Sequence, residues 1–367
     1  MLCRTQRAPR LRSIRLRSLA LGAACAGLAL SFAPAQAAPK KDFNIAWTIY
    51  VGWMPWAYAA DAGIVKKWAD KYGITIDVTQ INDYVESINQ YTAGKFDGVT
   101  LTNMDALTIP AAGGVDTTAV IIGDFSNGND GIVSKTAKTP AELKGESINL
   151  VELSVSHYLL ARALDSVGLA EKDVKVVNTS DADMVAAFKS ADVKTVVTWN
   201  PLLAEVEAEP GASKVFNSSQ IPGEIIDMLG VNSQTLKDNP DFGKALVGIW
   251  YETLALIADH GEKGKAVRAE LGKLSGTDLA GYDAQLAATK MFFTPAEAVA
   301  FTKSAALPKT MDLVSSFSFE HGLLGEGAKS KDAVGMAFPG GVTLGSPDNV
   351  KLRFDDSFMA MAADGKL

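Results

Sequence analysis

Four large aromatic residues, Trp47, Tyr50, Trp53 and Trp56, fall within ten positions around Gly52 and Pro55. They lie at the end of, and just after, Asn44–Ile49, which reads as a buried strand. Such rings would gather at the carboxyl end of that strand, where open α/β sheets hold their ligands. Flat aromatic faces there suit a small planar or cationic solute. Packing of the following helix onto the sheet would use some of these rings, but not all four. Three other strand ends carry polar or aromatic groups toward the same side. Thr102-Asn103-Met104-Asp105 joins a strand to a helix, Val151-Glu152 closes an apolar run before Ser156-His157, and Trp199-Asn200-Pro201 opens a turn. Asp105, Glu152 and Trp199 are therefore candidate ligand contacts, together with Asp124 in the turn-rich stretch 123–131. An Asp in a first helical turn is also favoured by the helix dipole, so Asp105 has a structural reading beside its functional one.

Signatures of catalysis are scarce. The chain has no Gly-x-Ser-x-Gly elbow and no Gly-x-x-x-x-Gly-Lys phosphate loop. His157, His260 and His321 are the only histidines and lack metal-ligand spacing. Ser154, Ser156 and His157 are neighbours at a helix start, where adjacent side chains do not face each other. Asp124–Asp130 superficially resembles a calcium loop, but its Gly position is wrong and the twelfth residue is not Glu. A binding protein without catalysis, cofactor or metal is the expectation.

The first 37 residues read as an export signal. Arg4, Arg7, Arg10, Arg12, Arg15 and Arg17 precede the short apolar run 19–33, and Ala35-Gln36-Ala37 fits a cleavage site. Cys25 follows Gly22-Ala23-Ala24, a weak likeness to a lipoprotein processing site with Gly where Leu is usual. Both cysteines, Cys3 and Cys25, fall in the removed segment, so no disulfide is expected in the mature chain. Removing the six Arg leaves 29 basic against 42 acidic residues, a net charge of −13. That balance, without a basic cluster, excludes nucleic acid as a partner. A chain of this length can bury a large core without disulfides and divide into two lobes.

Strands and helices alternate through the first half. Asn44–Ile49, Ile74–Ile81, Gly98–Leu101 and Thr118–Ile122 read as strands, with helices at Pro55–Tyr72, Tyr84–Ala93 and Met104–Ala112. After the turn formers at 123–131 a second alternation follows. It has strands at Ser147–Val151, Val174–Val177 and Thr195–Thr198, and helices at Ser156–Val167 and Asp181–Ser190. Ser218–Gly223 reads as a return crossing, Ile225–Val231 as a strand rejoining the first sheet, and the chain from Asn239 onward as nearly all helical. Such alternation predicts mostly parallel sheets flanked by helices. Two crossings imply a hinge and a cleft.

This order of features resembles the nitrate/taurine-type group of periplasmic solute-binding proteins of ABC importers. The resemblance rests on Gly52 and Pro55, Ala59-Ala60-Asp61-Ala62-Gly63-Ile64, Thr102-Asn103, Ser156-His157-Tyr158-Leu159-Leu160 and Trp199-Asn200-Pro201. The Trp-Thr-x-Tyr-x-Gly-Trp-x-Pro-Trp run more closely resembles the branch associated with urea carboxylase. The resemblance implies a two-lobed type II periplasmic binding protein fold of the α/β class. Its parts would be a signal peptide over 1–37, lobe 1 from 38–127 plus 223–367 with a helical C-terminal part, and lobe 2 from 128–222. It further implies a monomeric periplasmic protein that hands its solute to a permease in the inner membrane. Many members of the group bind anions with helix amino ends, whereas this chain offers Asp105 and Glu152. Fixed carboxylates among indoles fit guanidinium, which donates in-plane hydrogen bonds and stacks its faces. Guanidine is the expected ligand, with urea or an enzyme on the same scaffold as alternatives.

Overall fold

The computed structural model describes residues 40–367. The expected export signal and cleavage site, with Cys3 and Cys25, lie outside the described residues. Fourteen strands form two sheets. They are β1 (Asp42–Trp47), β2 (Thr75–Gln80), β3 (Gly98–Thr102), β4 (Thr117–Ser126), β5 (Asp130–Ser134), β6 (Ser147–Leu150) and β7 (Lys175–Asn178). The chain continues with β8 (Thr195–Trp199), β9 (Ser213–Asn217), β10 (Ile226–Asn232), β11 (Thr289–Met291), β12 (Gly335–Phe338), β13 (Val342–Leu344) and β14 (Val350–Phe354). The larger sheet runs β13-β12-β14-β4-β10-β3-β1-β2, with β11 against β4, and the smaller runs β7-β6-β8-β5-β9. The α/β architecture is as expected from the alternation, but the sheets are mixed rather than mostly parallel, since six of the twelve strand pairings are antiparallel.

The central strands are buried on both faces and read as apolar runs, such as Ala119-Val120-Ile121-Ile122. β1 pairs parallel with β2 and β3, as strand–helix–strand units require. β10 enters antiparallel between β3 and β4. This return from the smaller sheet aligns Asp227 with both Thr102 and Asp124.

Several expected boundaries shift. The helix expected over Pro55–Tyr72 is two helices, Pro55–Asp61 and Ile64–Tyr72, because Gly63 takes a left-handed φ of 73° between them. β4 does not stop at Ile122 but runs to Ser126, and β5 starts at Asp130, so the crossing shrinks to residues 127–129. The C-terminal part is not all helical. Beyond the helix Ala306–Glu320, β12, β13 and β14 extend the larger sheet. Their short lengths and flanking Gly and Pro residues hid the period-2 pattern.

The longest helix among the described residues, Pro240–Ile257, is mostly apolar, with twelve of its 18 residues buried. It packs on Ile64–Tyr72 so closely that a Cβ at Gly248 would lie 2.4 Å from the Trp68 ring. Trp68 cannot retreat freely, since its Nε1–H donates to Glu252 Oε2 at 2.7 Å. Gly248→Ala should cost about 1–3 kcal/mol by overpacking. Denaturant unfolding at unchanged m-value would show it, and an unaltered midpoint would mean that the ring relocates.

Candidate functional site

Local geometry delivers the site residues to one place between the two sheets. After β1 the Trp53 and Met54 amides both donate to the Tyr50 carbonyl, and Pro55 begins the next helix. This tight turn turns Tyr50 and Trp53 inward. Gly52 is required at its centre, because a Cβ there would lie 2.5 Å from Asp124 Oδ2 and 2.5 Å from the Tyr50 ring. Asp83 caps the helix Tyr84–Thr92 by accepting from the Glu86 amide at 2.8 Å, and so fixes Tyr84 at the first helical position. Tyr84, Thr102 and Asp105 then interlock. Tyr84 Oη–H donates to Asp105 Oδ2 at 2.7 Å, Thr102 Oγ1–H donates to the same oxygen at 2.8 Å, and the Thr102 amide donates to Tyr84 Oη at 2.9 Å.

The result is a small cavity of about 20 Å³, lined by Tyr50, Trp53, Tyr84, Thr102, Asp130, Val155, Trp199, Ile225 and Asp227. That is far below the roughly 300–1,000 Å³ of pockets for drug-sized ligands and about the room that one water needs, so even a solute of a few heavy atoms would enter only as the walls move apart. Its rings form a continuous wall. Tyr50 meets Trp53 edge-on at 5.0 Å, Trp53 lies 5.6 Å from Tyr84, and Tyr84 meets Trp199 edge-on at 5.7 Å. Trp53 Nε1 is buried without a hydrogen-bond partner.

Four carboxyl groups are buried at or behind this wall, namely Asp105, Asp124, Asp130 and Asp227. No Lys, Arg or His lines the cavity among the described residues. Asp124 Oδ1 accepts from Tyr50 Oη–H at 3.0 Å. Asp124 and Asp227 are cross-strand partners whose burial side by side disfavours charge on both carboxyls at once. Burial, and then the neighbouring Asp124 and Asp130 charges, push Asp227 well above the usual carboxylate range. Burial also raises Asp130 to about 7, with Asp105 adding to the rise, while a hydrogen bond with Ser126 opposes it. Asp105 is raised to about 6 by burial, held down in part by hydrogen bonds with Tyr84 and Thr102 and by the Val155 amide. Among the described residues none of these acids is paired with a cationic side chain.

Tyr50, Trp53 and Trp199 line this cavity, and Asp105 and Asp124 sit directly behind its wall. Trp56 does not reach it. Its ring packs 5.5 Å from Trp250 and borders a smaller void behind Trp53, because one helical turn separates it from Trp53. Trp47 is buried within β1 and is not among the lining residues. Glu152 is a correction. It is exposed in a separate surface groove with Asp83, Glu86, Asn178 and Asp181. β6 ends at Leu150, and Leu153 takes a left-handed φ of 63°, so the turn carries Glu152 outward and leaves Val155 on the wall. Tyr84, Asp130 and Asp227 escaped the sequence reading. Asp227 had a usable signal, being one acid inside the apolar run Ile225-Ile226-Asp227-Met228-Leu229.

Residues 36–271 match the model of the NMT1-like family. A protein of Brucella abortus (strain 2308), named provisionally as a binding protein, is 25% identical over 258 residues, covering 69% of this chain and 78% of that protein. The taurine-binding periplasmic protein of Escherichia coli (strain K12) is 27% identical over 118 residues, 31% of this chain and 36% of its own length. The structure of the alkanesulfonate-binding protein from Xanthomonas axonopodis pv. citri, bound to MOPS, matches with a TM-score of 0.63 at 18% identity. It covers 81% of this chain and 99% of that one. Such structural likeness establishes the fold as that of periplasmic binding proteins.

The raised carboxyls set a pH dependence. An acid whose folded pKa exceeds its unfolded value of about 4 binds more protons when folded, so stability falls as pH rises. Without ligand, the contribution of these groups should fall between about pH 4 and pH 7, the window from the unfolded value to the raised values of Asp105 and Asp130. Asp227→Asn deletes one raised carboxyl and keeps a partner for Asp124, so its melting temperature should fall less across this window than that of the wild type. Parallel curves would show that Asp227 is ionised in the empty cavity.

Proposed function

The chain belongs to the NMT1-like family, and from its site we propose that it is the extracytoplasmic solute-binding protein of an ABC importer that captures guanidinium. The carrying observation is the set of four buried carboxyls around an aromatic cavity with no basic residue on its wall. Relatives named for taurine and alkanesulfonate carry ligands with a sulfonate group, which these carboxyls would repel. Guanidinium offers a delocalised positive charge that stays protonated at physiological pH, donors in one plane, and two faces for Tyr50, Trp53, Tyr84 or Trp199. The branch associated with urea carboxylase is part of the same proposal. The protein would bind without turnover and pass the solute to the permease.

Urea is the second reading. A carboxyl titrating near 7 carries its proton part of the time and can donate to a neutral carbonyl, which Asp130 permits. The readings differ in sign. A cation needs the ionised acids, so guanidinium affinity should rise from pH 5 to pH 8, whereas urea affinity should stay level or fall.

With four heavy atoms, guanidinium can gain at most about −6 kcal/mol at roughly −1.5 kcal/mol per atom. That corresponds to a dissociation constant of about tens of micromolar. Calorimetry should show that Asp130→Asn and Asp227→Asn weaken guanidinium far more than urea. Trp53→Ala or Trp199→Ala should cost about 1–2 kcal/mol where the cation is desolvated. Equal losses for both solutes would return the ligand to the neutral amide, and release of product from either would make the protein an enzyme.

The segments 38–127 plus 223–367 and 128–222 would form the two lobes, closing over the cavity by bending at residues 127–129 and 218–223. Small-angle scattering should give a smaller radius of gyration at saturating guanidinium than without it. An unchanged radius would argue for a rigid cage.

A further inference from the structure

Outside the acidic cavity, three titratable side chains meet where the helix Val155–Asp165 packs against the helix Ala306–Glu320. The ligand atoms of His157, Glu171 and His321 all lie within 4.8 Å of one another. Two imidazoles and a carboxylate are a zinc-type donor set, so the protonation of each ring decides what the cluster can hold.

His157 is buried. Its Nδ1 accepts a hydrogen bond from the Leu153 amide at 3.1 Å. That amide is aimed by the left-handed backbone of Leu153, a conformation a branched residue adopts only at some cost. An Nδ1 that accepts cannot carry the proton of the neutral ring, so the proton sits on Nε2. Nε2 faces Glu171 Oε2 at 3.2 Å and therefore presents an N–H, not a lone pair, toward the centre of the cluster. A metal-bound histidine needs the opposite arrangement, with its second nitrogen donating outward. His321 is constrained differently. Its Nδ1 lies 2.8 Å from the Phe317 carbonyl and its Nε2 lies 2.7 Å from Glu171 Oε1. Both neighbours are acceptors, so both ring nitrogens must donate and the ring is an imidazolium.

We infer that His157, Glu171 and His321 form a proton-held clasp, not a metal site, tying the segment of the smaller sheet to the C-terminal helix Ala306–Glu320. The parts it joins belong to different halves of the molecule. Glu171 and His157 lie in the segment that carries β5 to β9. The helix Ala306–Glu320 packs instead on Asn103–Ala106, which follows β3 of the larger sheet, and Asn103 Nδ2 reaches Met311 Sδ at 3.4 Å. Phe317 stacks on the His321 ring at 4.0 Å and meets Tyr158 edge-on at 5.3 Å, so the clasp is seated on an aromatic contact between the same two helices.

The charged groups around it agree with this assignment. Hydrogen bonding to Glu171, and its charge and that of Glu320, raise His321 above its ordinary value against partial burial. Burial would raise Glu171, but hydrogen bonds from His157 and His321 hold it at about 2. Arg162, Asp165 and Lys172 line the adjoining groove, where Arg162 is already engaged by Glu224 at 2.8 Å. A histidine raised on folding stabilises fully below its unfolded value of about 6.5, and the contribution is lost as pH rises through the folded value. Acid fastens the clasp and alkali releases it.

The inference uses the two-lobed reading only for its consequence, that opening to release a solute must break this contact. Its test uses ligand-free mature protein, so failure of the guanidinium reading leaves the result intact. Nitrogen-15 spectra of the histidine side chains should show His157 as the Nε2–H tautomer and His321 as an imidazolium that titrates above its ordinary value. Glu171→Gln should lower the His321 midpoint and speed amide exchange in the helix 306–320 by about three- to tenfold near neutral pH. The difference should vanish above the wild-type His321 midpoint. In a His321→Gln background Glu171→Gln should change exchange little, which separates the pair from general loosening. A His321 midpoint at or below the ordinary value would overturn the clasp. So would equimolar Zn²⁺ shifting both rings together, which requires lone pairs on both.

Discussion

Desolvation of four carboxyls in one aromatic chamber is the constraint on which the rest of this structure depends. Carboxylates removed from water without a counter-charge are so costly that they take up protons instead. The fold tempers this with hydroxyl and amide donors at fixed positions. Tyr50 serves Asp124, Tyr84 and Thr102 serve Asp105, and Ser126 serves Asp130. None of these donors supplies charge. On the proposed reading a positive solute would supply the missing charge, and the large apolar core around Pro240–Ile257 must offset the cost while the chamber is empty.

The register of β10 turns this from chance burial into a built arrangement. An antiparallel return strand between β3 and β4 places Asp227 opposite Asp124 on one side and Thr102 on the other. A slip of one residue would send Asp227 to the opposite face of the sheet. Gly52 completes the fit, because any side chain there would collide with the Asp124 carboxylate. The structural neighbours named for sulfonates share this scaffold, so a choice of ligand charge would rest with the few side chains at the strand ends.

Much of this was legible in the sequence, and the exceptions have physical causes. Alternation of period-2 and period-3.6 patterns exposed most strands and helices of the first two-thirds, since long buried elements carry strong periodicity. The aromatic turn at Tyr50 and Trp53 was legible because Gly and Pro punctuate it. Glu152 was misplaced because its direction depends on the backbone of Leu153, which no residue type there announces. Asp130 and Asp227 were hidden because they are far apart in the chain and meet only through sheet register. β12 to β14 were too short for a period to emerge. His157 and His321 looked unrelated by spacing, and only the packing of two helices joins them to Glu171.

The cavity and the clasp respond to protons with opposite sign. Raising the pH would ionise Asp130 and so favour the proposed cation, while it would strip the proton from His321 and loosen the contact inferred to resist opening. A binding protein needs both affinity in capture and reversibility at the permease, and a single proton-linked group would trade one directly against the other. Two groups of opposite sign offset each other instead. On the proposed reading, Asp130 near neutral pH would be ionised enough to attract the solute while the imidazolium would still hold the halves together. Removing either arm would then steepen the pH dependence of retention rather than abolish it, because the surviving arm would act unopposed.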